Sequence, residues 1–338
     1  MKKLDILVLF DSAGTPPDDQ DYTKEFEQQD WFTEAAVVET LQLMGHEVRM
    51  MGIYDDIGIL IKEVERKKPD LVFNLTELFM GKAHYDRNIP ALLELLEIPY
   101  TGCGPDGLLL CNNKALSKKI LAYHKIKVPH FHVFRRGRKV WLPARLEFPL
   151  VIKPLREEAS TGISQASYVK TEELLRERVS FIHNRMKADA IAEEYIPGRE
   201  LYVGIMGQKK LQAFPAREMK FTKVPDDEPR LATYSAKWDE NYRKRWGIVS
   251  GFATGISDAD GAMISRVCKR AYRVLMVDGY ARFDCRLTPE NELYILEANA
   301  NPELAQGDEF ADSALKAGCT YDRLLARIIN LAFARRKL

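Results

Sequence analysis

Apolar and polar positions divide the chain into short strands and helices that alternate. Residues 4–10 form an apolar run broken only by Asp5, the length and pattern of a strand buried on both faces. A polar, proline-containing loop over 11–30 follows. Apolar positions then recur at helical spacing over 33–44, and Gly45 stands where a helix C-terminus takes a residue at positive φ. Residues 47–51 read as a second strand, 59–67 as a helix, 70–74 as a third strand and 90–96 as a helix. Strands that alternate with helices predict a parallel sheet covered on both faces, and this α/β unit is drawn over residues 1–112.

The pattern then changes. A helix is predicted over 114–124, a strand over 131–134 and a strand over 149–154 that ends at Lys153-Pro154. A loop of small residues (155–162) leads to a strand over 163–168, a helix capped at Thr171 and a strand over 190–194. From Glu200 strand patterns dominate until a helix over 259–276, a hairpin and a closing helix over 321–335. Two further α+β units are drawn at 113–198 and 199–338. The chain has no internal repeat and no low-complexity segment.

At 338 residues the chain is long for one core, which agrees with two or three packed units. A formal net charge of +1 gives no global attraction to nucleic acid or to an anionic membrane, so neither is expected as a partner. Cys103, Cys111, Cys268, Cys285 and Cys319 are scattered, with no CxxC pair. That argues against a disulfide framework and for a reduced, cytoplasmic setting. The apolar run after Lys2-Lys3 is short and contains Asp5, so it reads as a strand rather than a signal peptide. No stretch approaches the roughly 20 apolar residues of a membrane-spanning helix.

Candidate chemistry concentrates in Tyr280-Ala-Arg282-Phe-Asp284-Cys-Arg-Leu-Thr-Pro-Glu-Asn-Glu-Leu-Tyr-Ile-Leu-Glu297-Ala-Asn299. Two strands flank the turn-rich stretch 289–292. Alternation puts Phe283, Cys285 and Leu287 on one face and Arg282, Asp284 and Arg286 on the other. A turn centred between Glu290 and Asn291 sets Asp284 opposite Glu297 and Arg282 opposite Asn299, with facing Cβ atoms about 4.5–5.5 Å apart. Two facing carboxylates repel unless a cation lies between them, and hard oxygen donors with an amide suit Mg²⁺.

The run Arg-Phe-Asp…Leu-Glu-Ala-Asn-x-Asn-Pro resembles the C-terminal metal-binding motif of ATP-grasp ligases, specifically the D-alanine–D-alanine ligases. The resemblance implies an ATP-grasp fold: an N-terminal Rossmann-like unit with a parallel sheet, then two α+β subdomains that sandwich ATP. It implies Asp284, Glu297 and Asn299 as metal ligands and Arg282 as the group that stabilises a tetrahedral oxyanion. Mg²⁺ is the implied ion, with Mn²⁺ an acceptable substitute. Upstream, Lys114 after Ile98-Pro-Tyr-Thr-Gly102 and Lys153 in Phe148-Pro-Leu-Val-Ile-Lys153-Pro154 match the family's two ATP lysines. The loop Arg156-Glu-Glu-Ala-Ser160-Thr161-Gly162 matches its phosphate-covering loop, with Ser160 as a phosphate contact and Glu158 where the family usually has glycine. In Ala192-Glu193-Glu194-Tyr195-Ile196-Pro-Gly198-Arg-Glu200, the resemblance implies Glu193 and Ile196 at adenine and Glu200 at the ribose. Glu194 stands where lysine is frequent. Lys237 matches a lysine that reaches the γ-phosphate. The run 102–107 fits GxGxxG, but it follows several elements and contains Pro105, so a dinucleotide role is not expected.

The likeness weakens where the substrates of such ligases bind. Residues 1–97 match only as a generic α/β unit, and Glu27 or Asp30 is the nearest stand-in for the family's ammonium-binding glutamate. Glu303 replaces a glycine in the loop after Asn299. Glu77, Arg87, Glu303 and Gln306 are therefore the candidate contacts to a substrate. The expectation is an ATP-dependent carboxylate–amine ligase acting through an acyl phosphate on an amino acid or peptide other than D-alanine. Dimerisation is a further expectation from the family. The alternatives are a phosphotransferase on the same fold and a nucleotide-binding module without chemistry.

Overall fold

The computed structural model describes residues 2–17, 20–156, 162–225 and 228–335. β1 (Asp5–Asp11), β2 (Glu47–Ile53) and β3 (Leu71–Asn74) form a parallel sheet in the order β2-β1-β3. Central β1 alternates between two cores. Leu7 and Leu9 face Leu60, Val64, Ile89 and Leu93, whereas Ile6, Val8 and Phe10 face the other way. The helices predicted on this unit appear as Phe32–Leu43, Gly58–Arg66 and Asn88–Leu95. Gly45 follows the first of them at φ +85°, as its position predicts.

The second sheet is antiparallel: β4 (Phe131–Phe134), β5 (Leu150–Pro154), β6 (Tyr168–Val169) and β7 (Ala190–Glu194), in the order β4-β7-β5-β6. The third contains β8 (Arg199–Gly207), β9 (Leu211–Ala213), β10 (Arg217–Phe221), β11 (Ile248–Phe252), β12 (Gly279–Leu287) and β13 (Leu293–Ala300). Its main path is β11-β10-β8-β12-β13, and β9 pairs with β8. One face of this sheet, including Val203, Ile205, Phe283, Cys285 and Ile295, packs on Ile264, Cys268, Ala271 and Tyr272 of helix Asp258–Val274. Burying that face commits the alternate side chains of β12 to the opposite one.

The two ends of the chain share a core. Leu324, Leu325, Ile328 and Ile329 of the closing helix Tyr321–Arg335 pack with Ile6, Val8 and Phe10 of β1, together with Tyr280 and Phe310. Arg335 at the end of that helix pairs with Asp278 and donates to the carbonyls of Tyr100 and Gly102, its guanidinium 4.4 Å from the Tyr100 ring centre. Asp278 in turn accepts from the Gly104 N–H at 2.7 Å, and Asn301 accepts from the Cys103 N–H at 2.7 Å. The glycine-rich run thus opens helix Pro105–Cys111 and docks it beside β13. No helix among the described residues is long and apolar enough to cross a membrane.

Three expectations are corrected. The strand predicted over 163–168 is a 3₁₀ turn, Gln165–Ser167, followed by the two-residue β6. Ser167 Oγ accepts from the Ser164 N–H at 3.1 Å, a local bond that competes with extended pairing. The strand-dominated stretch after Glu200 contains helices Tyr234–Trp238 and Glu240–Trp246, capped by the Thr233 and Asp239 side chains. Threonine and aspartate are favoured N-cap residues, which tips both stretches toward helix. Helices Pro105–Cys111 and Glu309–Lys316 were not anticipated either.

The link between β7 and β8 yields a test. Gly198 has φ +132°, and a Cβ built there lies 2.2 Å from the Leu287 carbonyl oxygen. Gly198→Ala should cost about 2–4 kcal/mol in chemical denaturation, from backbone strain plus a clash with main chain. Gly14→Ala, where nothing lies within 4 Å, should stay within about 0.5 kcal/mol.

Candidate active site

The hairpin β12–β13 brings Asp284 opposite Glu297 and Arg282 opposite Asn299, the pairs expected from sequence. The route to that register is different. Thr288 N–H bonds to the Glu292 carbonyl at 3.0 Å, and Asn291 has φ +59°. This makes a three-residue loop of the kind closed by a left-handed residue. Near the loop, Leu287 faces Leu293 and Cys285 faces Ile295, one residue off the two-residue turn assumed from sequence. A bulge beyond Cys285 inserts Leu296 and restores the Asp284–Glu297 pairing. Leu296 and Glu297 therefore both line the same cleft.

That cleft lies between the two antiparallel sheets. Lys153, Glu193, Glu194 and Ile196 line it from one side, and Glu200, Lys237, Asp284 and Glu297 from the other. Apolar Val151, Ile163, Leu231 and Leu296 complete the wall, with Ala232. Glu200 is paired with Arg286 at 2.5 Å and accepts from the Tyr202 hydroxyl at 3.2 Å. Lys237 also borders a second cavity and stands 5.8 Å from the Tyr202 ring centre. Ser160 lies outside the described residues, as does Glu158.

At the inner end of the cleft sits a cluster of buried charge. Glu193, 2% exposed, is 3.0 Å from Lys118 Nζ and 3.0 Å from Lys153 Nζ. Lys114 Nζ is 2.7 Å from Glu297. Burial alone would push the Glu193 carboxyl up, but Lys118 and Lys153 hold it below its ordinary range. Burial likewise opposes the Glu297 charge, yet Lys114, with Lys153 and Lys118 behind it, brings its pKa down to about 2. Lys118 is 1% exposed, and burial lowers its pKa despite Glu193. It also donates to the Leu296 carbonyl at the bulge. Sequence reading missed Lys118. Its spacing of four from Lys114 on helix Lys114–Tyr123 was the available signal, but lysine is rarely so buried unless paired.

Arg282 binds Asp284 through two nitrogens, Nε at 2.8 Å and Nη2 at 3.2 Å, and lies 3.4 Å from Glu309. Burial works against its charge, and those carboxylates more than restore it. It lines a cavity of about 290 Å³ with Lys237, Arg243, Asn299, Asp308 and Glu309. Asn299 Nδ2 is buried with no hydrogen-bond partner among the described residues. A larger cavity of about 560 Å³ adjoins it, sharing Glu77, Asn301, Pro302 and Glu303. Of the candidate substrate contacts, Glu77 and Glu303 thus line both cavities. Arg87, beside helix Asn88–Leu95, and exposed Gln306 line neither. Asp30 lines the larger one and Glu27 does not.

The charge cluster carries a stability signature. Glu193→Gln strands two buried ammonium groups and should cost about 3–5 kcal/mol. A carboxyl held below its ordinary value of 4.5 stabilises the fold above that pH, and this stability is lost as pH falls through its lowered native value. Urea midpoints measured from pH 7 to pH 3 should therefore fall more steeply below about 4.5 in the wild type than in Glu193→Gln.

Several known proteins are similar to this chain. The family described as D-ala D-ala ligase C-terminus matches residues 120–330, more than half of the chain. The D-alanine–D-alanine ligase of Syntrophobacter fumaroxidans is 30% identical over 257 residues, covering 75% of this chain and 78% of its own. An uncharacterised protein of Sinorhizobium fredii is 29% identical over 307 residues, covering 89% and 87%. Among solved structures, the D-alanine–D-alanine ligase from Bacillus anthracis, complexed with ATP, has a TM-score of 0.75 at 20% identity, covering 98% of this chain and 99% of that one. The VanG D-Ala:D-Ser ligase from Enterococcus faecalis has a TM-score of 0.71 at 21% identity, covering 98% and 100%. The structural likenesses bear on the fold and the sequence match on descent: this chain belongs to the D-alanine–D-alanine ligase family and has the ATP-grasp fold.

Proposed function

We propose that this protein is an ATP- and Mg²⁺-dependent ligase that activates a carboxylate as an acyl phosphate and joins it to an amine, with a substrate other than D-alanine. The observation that carries the reading is one sheet face. Asp284 and Glu297, then Arg282 and Asn299, face each other across β12–β13, between a lysine-lined cleft and the cavity that Arg282 enters.

The donor set fits Mg²⁺. Two carboxylates and an amide oxygen are hard ligands, and the low pKa of Glu297 keeps it ionised. Among the described residues no three His, Cys, Asp or Glu side chains converge on one point. Asp284, Glu297 and Asn299 would thus hold the ion together with oxygens from phosphate, a coordination Mg²⁺ favours. Bound there, Mg²⁺ would neutralise phosphate charge and align the γ-phosphoryl group for in-line transfer.

The remaining roles belong to the chain. Val151, Ile163, Ile196, Leu231 and Leu296 offer an apolar slot for adenine, and Glu200 offers an acceptor for ribose hydroxyls. Lys114, Lys153 and Lys237 supply positive charge to the phosphates. Lys114 and Lys153 are held on carboxylates in the ligand-free protein, so a polyphosphate would exchange partners within a preformed cluster. The substrate carboxylate attacks the γ-phosphorus and ADP departs. The amine then attacks the acyl carbon, and Arg282 stabilises the oxyanion until phosphate leaves and the nitrogen loses its proton. Glu77 and Glu303, at the junction of the two cavities, are assigned to the substrate.

The test is phosphate release from Mg-ATP across D- and L-amino acids, dipeptides and hydroxy acids. Acceptor-dependent release, nearly abolished in folded Asp284→Ala and Glu297→Ala, is the expected outcome. Arg282→Met should lower kcat about 10²–10³-fold. Wild-type turnover in Asp284→Ala would refute the metal assignment. A stable phosphorylated product without free phosphate would identify a phosphotransferase, and robust D-Ala-D-Ala formation would refute the altered specificity.

A further inference from the structure

The cavity of about 560 Å³ beside the Arg282 site has a one-sided charge. Among the described residues its wall carries Asp11, Asp30, Glu34, Glu77 and Glu303, and no lysine, arginine or histidine. Asp11 comes from the end of β1 and Glu34 from helix Phe32–Leu43, whereas Glu303 follows β13. Three separate elements thus converge on it. Asp11 accepts from the Glu77 and Leu78 N–H groups at 2.7 and 3.2 Å, and Glu303 from the Thr33 hydroxyl at 3.0 Å. No salt bridge to Asp11, Asp30, Glu34 or Glu303 occurs among the described residues. Burial, reinforced by Asp11 and Glu303, pushes the Glu34 carboxyl up to about 7, as expected where negative charge lacks a counter-ion.

Two further observations point to an organic cation. Tyr280, 1% exposed, lines the cavity at its inner end, next to the loop that carries Glu303. Trp31 and Tyr54 line it too, and aromatic faces attract ammonium and guanidinium groups. Among the described residues no three acidic side chains meet at one point here. The acids are spread along a wall instead. At the far end the cavity joins the one lined by Arg282, Arg243 and Lys237, through Glu77, Asn301, Pro302 and Glu303. The combined space is negative at one end, whereas the other end sets Arg282, Arg243 and Lys237 among Asp308 and Glu309.

We propose, resting on the ligase reading above, that the substrate taken by this cavity is an amino acid with a cationic side chain. Its two cationic groups lie among Asp11, Asp30, Glu34 and Glu303, and its carboxylate points toward Arg282. An amino acid with a neutral side chain brings one ammonium and leaves most of that wall uncompensated. An acidic one adds like charge, which such a site rejects.

The full-length protein with saturating Mg-ATP is assayed for phosphate release with lysine, ornithine, arginine, alanine, serine and glutamate, in both enantiomers. A basic amino acid should exceed alanine in kcat/KM by at least about tenfold. Glu34→Gln, which keeps shape and removes charge, should lower that preference severalfold without altering the KM for ATP. Glu303→Gln serves as the second variant. Preference for a neutral or acidic amino acid, or a preference untouched by both substitutions, overturns the proposal. If no amino acid stimulates phosphate release, the ligase reading fails separately, and equilibrium dialysis decides the cavity. Retention of labelled lysine that arginine displaces and alanine does not would sustain the proposal; retention without that selectivity, or none, would sink it.

Discussion

Glu193 holds Lys118 and Lys153 at 3.0 Å each in a place nearly closed to water, and the architecture of the cleft hangs on that contact. The carboxylate belongs to β7 and Lys153 to β5, while Lys118 belongs to the helix that follows the first unit. Lys118 also reaches the Leu296 carbonyl on β13. One buried charge cluster therefore ties the four-stranded sheet to the six-stranded one. Such clusters are weak sources of stability, since desolvation cancels most of the attraction. Apolar side chains of similar size would hold the sheets together as well. What they could not do is present positive charge to an anion between the sheets, which is the use proposed for Lys114 and Lys153.

The bulge at Leu296 is the second consequence. A strand alternates sides with period two, so one inserted residue moves all that follow to the other face. Here it turns Leu296 and Glu297 toward the same cleft, giving an apolar side chain and a carboxylate from adjacent positions. Ile295 and Ala298, on either side, remain in the core beneath the sheet. An unbulged hairpin with this loop would set Asp284 against Leu296, and the two carboxylates would not meet.

The cleft and the larger cavity are built on different principles. Around the cleft, opposite charges are matched one against another. Around the larger cavity Asp11, Asp30, Glu34 and Glu303 make no ion pair among the described residues, and they come from segments far apart in the chain. Those segments meet because the closing helix, Tyr321–Arg335, packs on β1 and Arg335 clamps Asp278 to the 100–104 segment. The first sheet thereby becomes a wall of the site that the last hairpin begins.

Most elements were legible in the chain: the β1 run, the 3.6-residue periodicity of the helices, the strand ending at Lys153 and the hairpin motif. Local pattern sufficed because backbone preference and alternation act over a few residues. The proposed metal-ligand set and the lysines proposed to flank ATP rest on motif resemblance. The pairing of Asp284 with Glu297 and of Arg282 with Asn299 agrees with the expectation, but the bulge that produces it was not legible, because the expectation assumed a two-residue turn whose error the bulge offsets. Lys118 stayed hidden because only a carboxylate from another sheet makes a buried lysine tolerable, and that partner is 75 residues away. The acidic cavity stayed hidden for the same reason. Asp11, Glu34 and Glu303 look like ordinary loop and helix charges until long-range packing gathers them, and that packing depends on contacts between the two ends of the chain which no local window contains.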